Sequence, residues 1–253
     1  MKSGKNIALI VFAVIGVSGA TALATFQGQS QKSAQSKSQE QATQIQEGQK
    51  TEKQRQHGKL FKHSGTKLSD MAARQTGDVE VEEGVGLMMV LPQTGPQRPV
   101  FQSAVCNADA VVIGIINDKS SQLTEEENFV FTDHQITVEE VIKNNAVAPI
   151  QVASAITVTR DGGVIELNNR IFRAKRDDFD PPLVGQRYLL FLRFIPATGS
   201  YLAYGNGTFQ LEAEKVLALD PAARDEMIKS GVSNPLSFLS QIRTFAASNC
   251  QPK

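Results

Sequence analysis

Three histidines, His57, His63 and His134, are the side chains of this 253-residue chain that could act as acids or bases near neutral pH. General acid–base catalysis and a Ser-His-Asp set both need a histidine close to a nucleophile or a substrate proton. His57 and His63 fall in a polar N-terminal region, so only His134, in the stretch TDHQ, belongs to the predicted globular part. We expect His134 to be a structural or exposed residue, and we predict no catalytic residue.

No cofactor motif accompanies these histidines. The sequence contains no phosphate-binding glycine loop, no Cys-x-x-Cys and no His-Glu-x-x-His. Its formal net charge is zero, and the composition therefore does not favour a nucleic-acid partner. We expect no cofactor and predict that the protein is not an enzyme. A hydrolase with an unrecognised site is the alternative, and a deep polar cleft around His134 would favour it.

Three aspartates, Asp177, Asp178 and Asp180, stand together in the stretch RAKRDDFDPPLVG. Loops rich in carboxylate oxygens can hold calcium. Basic residues flank these aspartates, however, and no glycine-containing calcium loop follows them. We expect a solvated loop in which the charges neutralise one another, and a metal site formed by the three aspartates is the alternative.

Residues 1–24 have the layout of a secretory signal peptide. Lys2 and Lys5 precede an apolar stretch, and small residues lead to Ala22-Leu23-Ala24, an A-x-A cleavage site. The alternative is an uncleaved membrane anchor over residues 7–24, which would measure about 27 Å as a helix. Either interpretation places the rest of the chain outside the cytoplasm, as a secreted, periplasmic or cell-surface protein.

Two segments of different character follow this signal. Residues 25–57 are dominated by Gln, Ser, Lys and Glu, which predicts a disordered linker because such a segment cannot bury enough apolar surface. Residues 58–100 are predicted to be a partly ordered connecting segment. Its apolar run includes Met88 and Met89, which either pack on the core or form an exposed adhesive patch.

Residues 101–253 show the pattern of a β domain. Residues 110–116 are almost all apolar, which is typical of a strand covered on both faces. The stretch AITVTRDGGVIEL predicts a hairpin with its turn at Asp-Gly-Gly. Asp220-Pro221 and Asn234-Pro235 are helix-start signals. We predict a mainly β fold in which five or six antiparallel strands form a small barrel, followed by two C-terminal helices. An immunoglobulin-like sandwich is the alternative.

Cys106 and Cys250 are the only cysteines of the chain. In an exported protein, a disulfide bond between them is the default expectation. The bond would connect the start of the first barrel strand to the end of the last helix. It would close a loop of about 144 residues and contribute ~4–5 kcal/mol on the chain-entropy argument.

The stretch VCNADAVVIGII around Cys106 resembles the F-C-N-A-D-V-V-I stretch of the tissue inhibitors of metalloproteinases, members of the netrin-like group of OB-fold barrels. In that family this cysteine bonds to one just after the helix that follows the barrel, and Cys250 occupies that place here. The stretches ADAVVIG, FTDHQITVEEVIK and VGQRYLLFL also resemble uncharacterised exported bacterial proteins. The resemblance implies an OB-like barrel across residues 104–250.

The same resemblance implies a scaffold rather than an activity. The inhibitors chelate the zinc of their target through a Cys-x-Cys at the mature N-terminus, and this chain has no Cys-x-Cys. We therefore predict an exported or membrane-tethered, non-enzymatic binding or envelope-associated module. A protease-inhibitor-like protein that lacks the zinc-chelating N-terminus is a further alternative.

The predicted partner is another extracytoplasmic protein or an envelope component, and not a nucleic acid. Contact with the membrane is expected only through residues 7–24, if they are not cleaved. Recognition sites commonly lie on loops of a rigid scaffold. The candidate partner-binding residues are Glu125, Glu126, Asp178, Met88 and Met89.

Overall fold

The structure is a computed structural model, and it describes residues 43–44, 50–74, 77–83, 100–176, 179–231 and 234–248. The chain divides into two compact units, residues 1–39 and residues 40–253, and the first unit lies outside the described residues. The predicted signal or anchor and most of the predicted linker are therefore outside them as well. In the part that is described, we find no helix with the length and apolar character needed to cross a membrane.

Five helices and ten strands make up the described part of the chain. The helices are α1 (Glu52–Gly58), α2 (Leu68–Arg74), α3 (Val100–Asn107), α4 (Pro221–Lys229) and α5 (Pro235–Ala247). The strands are β1 (Thr43–Gln44), β2 (Val79–Glu83), β3 (Ala110–Leu123), β4 (Val130–Lys143), β5 (Ala155–Asp161), β6 (Gly163–Leu167), β7 (Arg170–Arg176), β8 (Arg187–Ile195), β9 (Ser200–Leu211) and β10 (Val216–Ala218).

The strands form two sheets. The larger sheet has the order β10-β9-β5-β4-β3-β8, with an additional antiparallel pairing between β9 and β8. The smaller sheet has the order β1-β6-β7-β2, in which β1 and β2 run parallel to their neighbours. A mainly β fold with two C-terminal helices is thus confirmed. The sheets do not make up one closed antiparallel barrel, and the pairing of β5 with β9 is parallel.

The smaller sheet exists because the predicted hairpin at Asp161-Gly162-Gly163 does not form. Strand β5 pairs with β4 and β9, whereas β6 pairs with β7. Gly162 and Gly163 have φ angles of +86° and +145°, and this backbone turns the chain out of the larger sheet into the smaller one. The hairpin instead joins β6 to β7 through Asn168 and Asn169, whose φ angles of +54° and +58° suit a type I′ turn.

The hydrophobic core has three parts. Between the larger sheet and helices α3, α4 and α5, aromatic rings pack edge to face, with Phe209 close to Phe101, Phe191 and Phe238. A second cluster lies on the opposite face of the same strands and contains Leu190 and its neighbours. Alternate residues of β8 serve the two clusters, so this strand is buried on both sides, as its apolar sequence predicts. A third cluster joins the smaller sheet to α2.

Both C-terminal helices begin where the sequence predicts. Asp220 accepts a hydrogen bond from the amide of Ala223, and Asn234 accepts one from the amide of Leu236. Phe238, Leu239 and Ile242 of α5 are buried, and they belong to the cluster that the helices share with the larger sheet. The last helix therefore buries one apolar face against the larger sheet.

Helix α1 corrects the predicted limit of the disordered linker. The linker was expected to extend to His57, but residues 52–58 are helical and His57 and Gly58 are buried. Thr51 and Gln54 form a capping box, in which each side chain binds the backbone amide of the other residue. A capped helix can dock on the sheet, which is how a segment without apolar side chains becomes ordered.

Candidate functional site

Consecutive residues of β4 place polar side chains on opposite faces of the larger sheet. Side chains alternate along a strand, so Thr132 and His134 share one face while Asp133 points to the other. Thr132 and His134 line a pocket, and Asp133 contacts α1. The two candidate sites of the molecule therefore lie back to back across a single strand.

The first site is a pocket at the junction of the two sheets, which we call the Arg160 pocket. Its polar walls come from β3, β4 and β5 of the larger sheet and from β7 of the smaller one. The residues that define it are Lys119, His134, Arg160, Arg173, Lys175 and Phe179. Within the described residues, Asp161 is the only carboxylate in its lining. Cationic side chains therefore outnumber carboxylates in the described lining of the pocket.

Arg160 is the fixed point of this pocket. Its side chain is only 3% exposed, and Nη1 donates a hydrogen bond to Thr208 Oγ1 over 3.2 Å. The guanidinium carbon lies 3.1 Å from the centre of the Phe179 ring, which is a cation–π contact. These two contacts hold the guanidinium in place without a ligand.

His134 is buried in the wall of the same pocket. Burial, together with the positive charges of Arg160 and Lys119, lowers the pKa of His134 to about 4. The imidazole is therefore neutral at neutral pH. His134 was expected to be either structural or exposed. Its side chain is buried and forms a hydrogen bond with the backbone of Val158, as a structural residue does.

The cations of β7 stand at the exposed side of the pocket. Arg173 lies 3.5 Å from Asp78, and Lys175 pairs with Glu80 of the neighbouring strand β2. The hydrogen bond from Lys175 lowers the pKa of the fully exposed Glu80 carboxyl. Both ion pairs are open to solvent, and such pairs contribute little to stability.

The second site is a network around His57, on the other face of β4. His57 Nδ1 lies 2.8 Å from Asp133 Oδ1, and His57 Nε2 lies 2.6 Å from Ser200 Oγ. Thr198 Oγ1 is 3.1 Å from the same Nε2. This is the order and spacing of a Ser-His-Asp triad. The sequence interpretation missed it because it assigned His57 to the linker, although the capping box TEKQ signals the start of the helix that carries this residue.

The His57 network is sealed from solvent. His57 and Ser200 are both 0% exposed, and Asp133 is 5% exposed. A nucleophilic serine must reach its substrate, and in this arrangement the Ser200 hydroxyl meets only protein groups. What the network does in this conformation is to fasten α1 to β4 and β9.

The loop that carries the predicted partner-binding residues Glu125 and Glu126 contacts the N-terminal segment around α1. The Glu125 amide donates to the carbonyl of Gly58 over 3.3 Å, and the Asn128 side chain donates to the carbonyl of His63 over 2.5 Å. The loop is short, because residues 120–123 before it belong to strand β3. The side chains of Glu125 and Glu126 themselves remain exposed.

Four of the other predicted site residues lie outside the described residues, namely Met88, Met89, Asp177 and Asp178. Asp180 is exposed and pairs with Arg224 over 3.0 Å. Across the ranges that the structure describes, no group of three acidic, histidine or cysteine side chains could hold a metal ion.

Cys106 lies near the C-terminal end of α3 and is half-buried. No free cysteine occurs among the described residues. Cys250 is not one of them, and the predicted bond between Cys106 and Cys250 therefore stays a prediction.

No protein-family model matches the chain, and no curated protein matches it. The likeness of the Cys106 stretch to the metalloproteinase inhibitors therefore remains an expectation from the sequence.

Proposed function

We propose that this protein is an exported, non-enzymatic binding module that holds its ligand or partner in the Arg160 pocket. The observation that carries the proposal is the pocket itself, in which a buried, oriented arginine stands between two sheets. Binding sites prefer such concave positions, with a few fixed polar groups in an apolar surround. Strands supply most of its polar groups, and sites built on strands hold their geometry better than sites on loops.

The scaffold that we propose for this module is OB-like. An OB-fold is a five-stranded, partly open Greek-key barrel. Five strands support this assignment, because their pairings run from β3 to β4, β5, β9 and β8 and return to β3. The hairpin of β6 and β7 is then an insertion between β5 and β8, and it supplies the outer wall of the pocket. Strands β1 and β2, which precede the barrel in the chain, complete the smaller sheet.

The partner that we propose is an extracytoplasmic protein or another envelope component. The proposal of export rests on the signal-like residues 1–24. Helix α1 packs on the face of β4 opposite the pocket, so the attachment of this helix leaves the pocket uncovered. Strands β1 and β2 of the same N-terminal segment pair with β6 and β7, and they extend the sheet that forms the outer wall of the pocket.

The experiment is affinity capture from an envelope fraction with the full exported chain as bait. A charge-reversed variant carries Lys119→Glu and Arg173→Glu, both at half-buried positions on the pocket wall. A matched control, Lys229→Glu, changes an exposed lysine of α4 outside the pocket. We expect the wild type and the control to capture the same partner and the double variant to lose it. Equal capture by all three proteins, with equal melting temperatures, would rule out the pocket as the binding site.

A serine hydrolase is the second candidate function, and the spacing of Asp133, His57 and Ser200 is the observation that favours it. The decisive reagent is a fluorophosphonate, which forms a covalent bond with an activated serine. The binding-module proposal expects no adduct at Ser200. Labelling that disappears in Ser200→Ala and in His57→Gln, while the variants stay folded, would establish the hydrolase instead.

A further inference from the structure

The charges in the Arg160 pocket indicate the sign of its ligand. In the described residues, four cationic side chains and one carboxylate line the pocket. The neutral His134 adds no charge. The cations are Lys119, Arg160, Arg173 and Lys175. A cleft lined by one sign of charge concentrates the opposite sign, and low-dielectric walls strengthen the effect. An anionic ligand is therefore favoured over a neutral or cationic one.

The geometry of Arg160 indicates the shape of the anionic group. A guanidinium is a flat fork of donors that matches the oxygens of a carboxylate or phosphate. Here Thr208 and Phe179 hold that fork in place before any ligand arrives. Pre-organised donors lose little entropy on binding. The group that the pocket suits is therefore an oxyanion.

The two cations at the exposed side of the pocket can exchange their present partners for a ligand. Arg173 and Lys175 are bound to Asp78 and Glu80 by solvent-exposed ion pairs. Solvent-exposed ion pairs contribute little to stability. An incoming oxyanion therefore competes with these surface carboxylates at small cost.

Apolar side chains form another part of the pocket wall. Phe179, Pro181 and Pro182 come from the segment before β8, and Val164 and Ala174 come from β6 and β7. Phe179 also packs against the buried cluster of the larger sheet. An oxyanion alone would leave this apolar surface in contact with water. The wall is suited to the hydrocarbon part of a ligand.

We infer that the Arg160 pocket binds an amphiphilic anion, in which a carboxylate or phosphate group meets Arg160 and an apolar body lies against Phe179 and the two prolines. The inference rests on the proposed function, because it concerns the same pocket, and it adds the chemical class of the ligand. A fatty acid and a lipid phosphate both present this chemistry, and the carboxylate and phosphate probes of the test distinguish them.

The test is isothermal titration calorimetry of the full exported chain with a set of matched small probes. Octanoate and octyl phosphate carry both features, acetate carries only the anion, and octanol and octylamine carry the same chain without an anion. We expect saturable binding of at least one of the two amphiphilic anions at one site. Acetate, octanol and octylamine should bind at least about tenfold more weakly, which corresponds to about 1.4 kcal/mol. The stronger of the two anions identifies the headgroup.

Variants connect that binding to the pocket. Arg173→Gln and Lys119→Gln should each lower the affinity for the amphiphilic anion by roughly three- to tenfold. Lys229→Gln should leave that affinity unchanged. Both pocket positions are half-buried, so these variants should fold, whereas Arg160→Gln alters a buried side chain. Melting temperatures of all the variants are measured beside the titrations.

Each unfavourable result has a distinct meaning. Octylamine or octanol binding as tightly as the anions would overturn the inferred ligand class. Anion binding that the pocket variants do not weaken would overturn the site. If no probe binds, the ligand class is wrong. The binding module itself then stands or falls by the partner-capture experiment, in which the Lys119 and Arg173 double variant is compared with its control.

Discussion

Asp133 Oδ1 lies 2.8 Å from His57 Nδ1, although 76 positions separate the two residues in the chain. Neither side chain is open to solvent, and the contact fixes α1 against the middle of the larger sheet. The neighbouring residue His134 faces the Arg160 pocket from the other side of β4. One strand thus attaches the N-terminal segment and builds the candidate binding site.

Replacing His57 by alanine should destabilise the protein. The substitution removes a hydrogen-bond partner of the buried Asp133 carboxylate and leaves a cavity, so the free energy of unfolding should fall by about 3 kcal/mol. Urea denaturation measures this change. Trypsin cleavage at Lys59 and Lys62 should also become faster, because α1 is released.

The control for this variant lies on the same helix. Arg55 pairs with Glu52 on the exposed side of α1, and Arg55→Ala should cost less than about 0.5 kcal/mol. Equal stability of His57→Ala and Arg55→Ala would show that the His57 network does not hold α1.

His134 should make stability depend on pH. Its pKa is about 4 in the folded protein, against an ordinary value of 6.5, because of burial and the charges of Arg160 and Lys119. The unfolded chain therefore takes up the proton first, and folding stability should fall as pH decreases from about 6.5 to about 4. The full loss amounts to about 3 kcal/mol, since one pKa unit corresponds to about 1.4 kcal/mol.

Urea denaturation of the wild type and His134→Gln at about pH 7 and about pH 4.5 isolates this effect. Carboxyl groups titrate over the same range in both proteins, so they cancel in the comparison. The variant should lose about 2 kcal/mol less than the wild type between the two conditions. Parallel losses in the two proteins would mean that His134 is already protonated, or solvent-exposed, in the folded state.

Lys143 should stabilise the C-terminal end of α3. Its Nζ donates hydrogen bonds to the carbonyl oxygens of Val105, Cys106 and Ala108, at 2.9, 3.0 and 2.5 Å. Burial lowers the pKa of this ammonium. Lys143→Met keeps the hydrocarbon stem but removes the donors, and it should cost about 1–3 kcal/mol of unfolding free energy.

Lys229→Met is the matched control, because Lys229 is exposed on α4, and it should change stability by less than about 0.5 kcal/mol. Hydrogen exchange at residues 104–108 gives a second measurement. It should accelerate in Lys143→Met alone. Unchanged exchange there would show that the carbonyls of α3 do not need the lysine.

Local signals were sufficient for the C-terminal helices and the buried strands. Asp220 and Asn234 cap their helices through contacts within three residues, and the apolar sequence of β8 is enough to predict burial on both faces. The His57 network joins residues from three separate elements, so no spacing in the sequence indicates it. Only the helix that carries His57 has a local signal.

The sheet topology was harder to predict from the sequence because two turn signals compete. Gly162 and Gly163 suit a hairpin turn, and so do Asn168 and Asn169 six residues later. Which pair becomes the hairpin depends on tertiary contacts, since β5 gains two partners in the larger sheet while β6 joins the cluster around Phe172. The Arg160 pocket forms at this branch point, and for that reason it could not be predicted.

The last prediction concerns the disulfide bond between Cys106 and Cys250, which would link α3 to the residues that follow α5. If Cys106 and Cys250 are joined, non-reducing mass spectrometry of the exported protein should detect no free thiol. Cys250→Ser should then lower the free energy of unfolding by several kcal/mol, up to about 4–5 kcal/mol for a loop of this length.

A reducing agent separates the covalent contribution from packing. It should destabilise the wild type to the level of Cys250→Ser and leave that variant unchanged. Cys106 is half-buried at the end of α3, so an unpaired thiol there would be open to alkylation in the native protein. Rapid alkylation of Cys106 in the untreated wild type would exclude the bond, and it would remove the main support for a likeness to the metalloproteinase inhibitors.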